Sequence, residues 1–446
     1  MASAYVLQTM ITSTATDTRK KVTFSCWFKR GSLGAYMQLL CNSPNPGSWD
    51  CVRINNADKL YLSLNNDTYY LTTNRVFVDV GAWYHVVARV DTTAASADRL
   101  QLWVNGVRET SFLTENQPTE DYECNWGVAA QTNRLGMETW GTSQGWDGEM
   151  SHVHFCDGFA YDASDFGSFD STSGIWKIKT SPSVSYGTNG WFLKMEDRSN
   201  LDLDSSGNAW SLSTVGTLTA TYDNPSNNFA TINPLDNYYC GGTLSNGNNT
   251  VVTGSVPYGA ITSTLGTSAG KWYYEIKVVA GSYPFVGVMG TPSKGTSQGV
   301  GYPSDGYGYY GFNGDLYTSA SGSSYGNTYT NGDIIGIALD LDNNKLYFSK
   351  NGTWQDSGDP TSGATGTGAI SITASSSTET GVYRLGLSDE NNSGTGTFST
   401  NFGNGYFGTT AVTSTNADDA GIGSFEYDVP TGYYELCTKY IKAYGG

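Results

Sequence analysis

The sequence predicts an all-β protein of two tandem β-sandwiches, and three observations carry that expectation. The first is a pattern found once in each half. Residues 85–106 (HVVARVDTTAASADRLQLWVNG) and 334–352 (IIGIALDLDNNKLYFSKNG) each run an alternating apolar strand into an acidic turn, then into an aromatic-bearing strand that stops at Asn-Gly. Val86, Ala88 and Val90 fall on one face, as do Leu100, Leu102 and Val104 of the partner strand, the period of half-buried antiparallel strands. Ile335, Ile337 and Leu339, then Leu346 and Phe348, repeat it. The second observation is composition: only 15% of residues are charged and 55 are glycine, a balance that suits many turns and no long helix. The third is length, since 446 residues allow two or three domains that each bury a core.

Along the first half, strand-like runs fall at 22–29, 37–41, 52–54, 60–64, 83–90, 100–104, 133–137 and 150–155, separated by Gly, Asn, Asp and Pro. A less regular stretch follows, in which 163–166 reads as one helical turn capped by Asp162, and 190–195 closes the domain as a further strand. Residues 202–229 are small and polar apart from short strand-like pieces such as 212–219; they read as a linker, with the boundary near Thr221. In the second half, strands are expected at 272–279, 285–288, 309–312, 334–341, 345–349, 383–387 and 397–402, with a mobile Gly/Ser/Thr loop over 361–380. The division is therefore 1–201, linker 202–229, 230–408, and a closing segment 409–446. In that last segment Phe425, Tyr427, Tyr433, Tyr434 and Leu436 are spaced as two short strands. So many aromatics in water would be an aggregation liability, so 424–440 is expected to dock as strands, with 409–421 as its flexible connector.

The formal charge is −17, and no basic cluster is longer than Arg19-Lys20-Lys21, so the electrostatic footprint of a nucleic-acid binder is missing. The N-terminus has no basic start followed by an apolar core, and no run is long enough to span a bilayer, so no membrane insertion is expected and synthesis is expected in the cytoplasm. Seven cysteines show neither C-x-x-C spacing nor the density of a disulfide framework. They read as small buried hydrophobes.

FSCWFKR, WYHVVARVDTT, ADRLQLWVNG and WDGEMSHVHFCDGFAYDASDFG, leading to GIWKIK, resemble in order a laminin-G-like, concanavalin-A-type jelly roll of the sort found in marine bacteriophage structural proteins, over about residues 1–200. GKWYYEIKV, VGVM, GYGYYGFNG, GDIIGIALDLDNNKLYFSKNGTW and STNFGNGYF resemble a SPRY domain, also a concanavalin-A-like β-sandwich, over about 230–407. The tail GIGSFEYDVPTGYYELCTKYI resembles the segment that follows SPRY domains in phage virion proteins. The pairing implies a non-enzymatic virion component of a tailed phage, a tail-associated adhesin or a capsid-surface decoration. Its implied partners are other virion proteins, a host-surface glycan and further copies of itself. Two alternatives stay open: a glycan-degrading depolymerase of the same fold, and a SPRY-type adaptor that grips a peptide.

Concanavalin-like glycosidases need two or three carboxylates alternating along one strand. Asp147 and Glu149, and Glu196 and Asp197, come nearest, but neither pair gives E-x-D-x-E spacing, and no catalytic residue is assigned. His152 and His154 alternate within one strand without a third ligand in view, which favours a polar sheet face over a metal. Asp202, Asp204 and Ser206 before Gly207 fit the opening of a calcium loop, but position twelve is Ser213 rather than Glu, so a solvated acidic linker is the competing reading and no other cofactor is expected. Asp340 and Asp342 read as hairpin-turn residues. Aromatic faces on loops can stack on sugar rings. Trp140 and Trp146, which flank WGTSQGW, and Tyr302, Tyr307, Tyr309 and Tyr317 from the tyrosine cluster are therefore the glycan-binding candidates. The alternative is that Tyr307 and Tyr309, two apart on one strand face, fill the core.

Overall fold

In the computed structural model the chain divides into two compact units, 1–220 and 221–446. The structure describes residues 4–9, 19–45, 47–254, 259–295, 298–390 and 395–445.

The first unit is a sandwich of two antiparallel sheets. One runs Phe112–Asn116, Tyr69–Val76, Lys59–Leu64, Ser48–Ile54, Met37–Asn45, Thr132–Leu135, Tyr5–Thr9 and Ser213–Val215; the other runs Trp191–Leu193, Gly148–Asp157, Lys21–Arg30, Trp83–Asp91, Leu100–Val104 and Val107–Arg108. Lys21–Arg30 pairs with Trp83–Asp91 so that Val22 lies opposite Val90 and Phe24 opposite Ala88. Both pairs point at Val52, Ile54, Leu60 and Leu62 of the facing sheet, and that interface is the main core. The strand Lys21–Arg30 is buried on both faces. Trp27, Trp83, Val87 and Trp103 form a second apolar layer on its far side, roofed by Phe166, Trp176 and Tyr186 from the stretch between the last two strands. The helical turn Ala163–Phe166 in that roof carries the expected Asp162 cap, reinforced by Asp165 as a capping box.

The stretch expected as a linker divides between the units. Ser213–Val215 pairs with Tyr5–Thr9 and Leu212 enters the core, whereas Tyr222 donates its backbone N–H to the Asn404 carbonyl in the second unit. The side chains of Ser213–Val215 are all exposed, so this edge strand has the composition of a solvated linker.

The second unit is again two sheets. Its larger sheet orders Thr243–Ser245, Thr250–Val252, Thr397–Asn401, Lys271–Ala280, Ile334–Asp340, Lys345–Lys350 and Thr353–Trp354, and its smaller one Ile261–Thr262, Arg384–Asp389, Pro284–Met289, Gly306–Tyr310, Asp315–Thr318 and Ser321–Ser324. Trp272, Tyr274, Ile276, Ile335, Ile337 and Leu339 meet Val286, Val288, Leu385 and Leu387 in the core. Asp340 holds the expected hairpin turn, accepting from Asn343 N–H at 3.0 Å, whereas Asp342 reaches out of it to accept from Gly270 N–H at 2.8 Å.

The closing segment docks, with two differences from expectation. Phe425 and Tyr433 cover Tyr273, Ala338 and Tyr347 on the outer face of the larger sheet, and Tyr434–Glu435 adds a parallel strand to Lys271–Ala280. Thr438–Tyr444, however, is a helix rather than strand. Tyr440 and Tyr444 lie one turn apart and both stack on Tyr434, with centroids 4.5 and 4.7 Å away. The connector is laced down too: Asn416 pairs with Phe425, and Asp418 accepts from Ala420 and Ile422 N–H. Its small polar residues thus make turns. Two buried carboxyls, one under this segment and one within it, are held by hydrogen bonds. Glu275 accepts from Glu426 N–H at 2.9 Å, Tyr427 N–H at 2.8 Å and Tyr273 O–H at 3.0 Å; Glu435 accepts from the Cys437 thiol at 3.5 Å.

The loop over 361–380 is pinned as well. Ile370–Ser371 pairs with Lys345–Lys350, and Tyr383 O–H donates to the Thr373 carbonyl at 2.8 Å. All seven cysteines are buried as free thiols. Among the described residues no helix is long and apolar enough to cross a membrane.

Candidate functional site

In the smaller sheet of the second unit, strict alternation decides which side chains leave the core. Val286, Val288, Tyr307 and Tyr309 turn inward, so Phe285, Met289 and Tyr310 face out, with Gly287 and Gly308 between them. Those glycines are required by close approach: a Cβ on Gly308 would lie 2.7 Å from the Phe285 ring, and one on Gly287 only 1.9 Å from the Tyr307 carbonyl. Phe285 stacks on Tyr310 at 4.4 Å, and Tyr317 meets both edge-on at 5.2 and 5.6 Å. Just past the strand, Phe312 lies between Tyr283, at 5.1 Å, and Tyr310, at 6.0 Å. Phe312 remains 60% exposed. The result is a continuous aromatic surface.

One side of that surface is acidic. Glu390, whose N–H donates to the Tyr283 carbonyl at 3.0 Å, has its carboxyl pushed up to about 7 by burial, against a hydrogen bond from Tyr302 that lowers it. Among the described residues, Glu390 Oε1 is buried without a hydrogen-bond partner. Tyr317 is raised by burial and then by the Glu390 charge. Tyr302 and Tyr317 therefore come together at Glu390.

The other glycan candidates do not join them. Tyr307 and Tyr309 are core residues, the alternative left open by their spacing; Tyr307 O–H lies 3.2 Å from Thr373 Oγ1 and Tyr309 O–H donates to the Asn327 carbonyl. In the first unit Trp146 packs inward, edge-on to Phe28 at 5.1 Å, while Trp140 stays on the surface, tilted over Trp49 at 5.0 Å. The calcium candidate is spent internally. Asp204 accepts from Phe192 N–H, Ser206 N–H, Ser206 O–H and Trp210 N–H, all between 2.8 and 3.0 Å, and Asp202 accepts from Thr214 O–H. Four donors on one carboxylate leave no lone pair for a cation, so Asp202, Asp204 and Ser206 build a turn.

Glu196 is drawn to His152 and Lys194, and Asp197 accepts from Ser199. His154 is buried, stacked 3.9 Å from Phe192 and hydrogen-bonded through Nδ1 to Tyr186 O–H at 2.9 Å. A bulge after Ser151 puts His152 at φ +47°, where its Nδ1 contacts Ser151 Oγ at 2.8 Å.

Sequence reasoning missed Tyr283, Phe312 and Glu390. One signal was available: Tyr310 and Phe312 extend the outward phase of a strand whose inward phase is Tyr307 and Tyr309.

Residues 5–160 match the concanavalin A-like lectin/glucanases superfamily, and residues 271–388 match the SPRY domain. The chain thus carries a concanavalin A-like domain followed by a SPRY domain, in an all-β architecture. Among curated proteins it is similar to Ran-binding protein 9 of Danio rerio, 33% identical over 95 residues, covering 20% of this chain and 16% of that protein. Ran-binding protein 9 of Homo sapiens is 34% identical over 95 residues, covering 20% of this chain and 13% of its own length. The chain therefore spans less than a fifth of these relatives. Among solved structures, a human SPRY domain aligns with a TM-score of 0.26 at 15% identity, covering 36% of this chain and 93% of that one.

Proposed function

We propose that the chain is a non-enzymatic binding protein whose SPRY domain takes up a short segment of a protein partner on the surface of Tyr283, Tyr310, Phe312 and Tyr317. The observation that carries this is Phe312, a large apolar side chain 60% exposed at the centre of an aromatic cluster. Such anchors dominate the energetics of protein interfaces. The relatives are named as Ran-binding proteins, which supports a protein partner, and residues 271–388 belong to the SPRY domain that carries this surface. Glu390, with a buried oxygen that meets no donor among the described residues, suits a partner that sets a Lys or Arg beside an apolar side chain. The virion reading, with tail or capsid neighbours, gains no support from these animal relatives, and the peptide-gripping alternative is the better backed.

The test is selection from a yeast-displayed peptide library against the whole chain, followed by affinity measurement on Phe312→Ser and Glu390→Gln. Enriched peptides should combine aromatic or aliphatic residues with a basic one, and should bind Phe312→Ser about tenfold or more weakly. Peptides that bind Phe312→Ser as well as the native chain would refute the assignment.

A further inference from the structure

The smaller sheet of the second unit ends on Ser321–Ser324, which pairs with Asp315–Thr318 and, among the described residues, with no other strand. All four of its residues are exposed. Sheet edges are ordinarily guarded, by shortness or by Lys, Pro or a bulge. The other sheet ends of this unit, Thr243–Ser245, Thr353–Trp354 and Ile261–Thr262, are two or three residues long, whereas this one is four residues of Ser and Gly in unbroken register. That register decides which backbone groups it offers. Ser319 and Ala320, at φ +52° and +58°, make a two-residue hairpin turn, so Thr318 and Ser321 are its hydrogen-bonded closing pair. Ladder bonds then alternate: Ser321 and Ser323 turn N–H and C=O inward to the hairpin, and Gly322 and Ser324 turn theirs outward.

The side chains along this edge are equally selective. Leu316 packs on the core, so Asp315 and Tyr317 lie on the outer face, opposite Ser324 and Gly322. Gly322 brings no side chain there, and Tyr317 takes the space: a Cβ on Gly322 would lie 2.8 Å from the Tyr317 ring. The ring therefore reaches over the last strand, while Phe285 and Tyr310 hold it from behind. A strand added at this edge would set one side chain against Tyr317 and another, two residues along, beside Asp315. Asp315 accepts from the neutral Asn313 Nδ2 at 2.7 Å, and in a chain of −17 it favours Lys or Arg at that second position. A second copy of this strand would offer Tyr317 and Asp315 only Ser and Gly, and far less area than a stable dimer needs.

We propose that an extended segment of a partner protein joins the sheet along Ser321–Ser324, hydrogen-bonded to Gly322 and Ser324, with an apolar side chain on Tyr317 and a Lys or Arg two residues away beside Asp315. This rests on the peptide-binding role proposed above and adds to it the conformation and register of the bound segment. Peptides enriched on the whole chain are resynthesised with each backbone nitrogen methylated in turn, and titrated by calorimetry against the native chain, Ser324→Pro and Asp315→Asn. Methylation should weaken binding about fivefold or more at alternate residues only, because a paired strand turns every second N–H to its neighbour. Ser324→Pro removes an outward donor and should weaken every peptide, and Asp315→Asn should erase the preference for a basic residue. The methylation scan uses the native chain, so it decides even where Ser324→Pro fails to fold. Peptides that lose affinity for Phe312→Ser yet tolerate methylation at every position, or bind Ser324→Pro undiminished, would overturn the edge pairing and leave the aromatic surface standing. If no peptide is enriched, both readings fall.

Discussion

Replacing Glu275 by Ala should loosen the closing segment of the second unit and lower its melting temperature. The carboxylate is buried and accepts the Glu426 and Tyr427 N–H groups, the Tyr273 hydroxyl and, at 3.4 Å, Asn401 Nδ2. Stranding a buried donor costs about 1–3 kcal/mol, and water entering the vacated volume recovers part of it, so the net loss should be about 3 kcal/mol. For a domain of this size that is a fall of about 6–12 °C. Two further readouts separate this mechanism from general damage. Limited proteolysis should cut between 409 and 433 in the variant well before the sandwich itself. Burial pushes the Glu275 carboxyl up to about 7 in the folded chain, so the native state binds its proton more tightly than the unfolded one. Its contribution is therefore complete below about 4.5 and lost as pH rises through about 7, and Glu275→Gln should remove that slope. An unchanged melting temperature and an uncut closing segment in Glu275→Ala would show that the carboxylate does not hold this segment.

The first unit should respond to pH in the opposite sense: burial lowers His85 to about 3, His152 to about 4 and His154 well below its ordinary value, so their contribution is whole above about 6.5 and lost as pH falls. Asp50, raised by burial to about 6, opposes them but is outnumbered. Calorimetry should show one transition falling between pH 6.5 and 4, with a shallower slope in His154→Phe; a flat response would contradict this. Gly148→Ala should destabilise the first unit by about 3 kcal/mol in urea, because Gly148 sits at φ +135° and a Cβ would lie 2.1 Å from the Lys29 carbonyl. Thiol reagents should label none of the seven cysteines in the native chain and all seven after unfolding, measured by mass.

Alternation made the central strands legible. Val22–Lys29, Trp83–Val90 and Ile334–Leu341 carry one apolar face that no other period explains, and each is a strand. Tyr5–Thr9 is hard to see because it is short and buries only Val6 and Gln8, and Ser213–Val215, within the strand-like piece 212–219, has the composition of a linker because all its side chains are exposed; the pairing of both lies in the backbone. Thr438–Tyr440, the end of the run expected as strand, opens the helix Thr438–Tyr444, because seven residues with two aromatics fit either period and the Tyr434 ring decides between them. At the candidate sites, loop tryptophans and clustered tyrosines drew attention, but composition says nothing about face. Tyr307 and Tyr317 are ten residues apart and go to opposite sides of one sheet.

The strand Tyr5–Thr9 lies between Thr132–Leu135 and Ser213–Val215, bonded to both. During synthesis its first partner emerges more than a hundred residues after it, and its second only when almost the whole unit has left the ribosome. The strands between Met37 and Val76 can pair with near neighbours much earlier. One end of the larger sheet must therefore stay open on the nascent chain, and pairing over such sequence separation is slow. YVLQT is apolar enough to find a wrong partner meanwhile. The expression yield of this unit should thus depend on holding that segment, by a chaperone or by slower growth at low temperature, more than on any property of the finished fold.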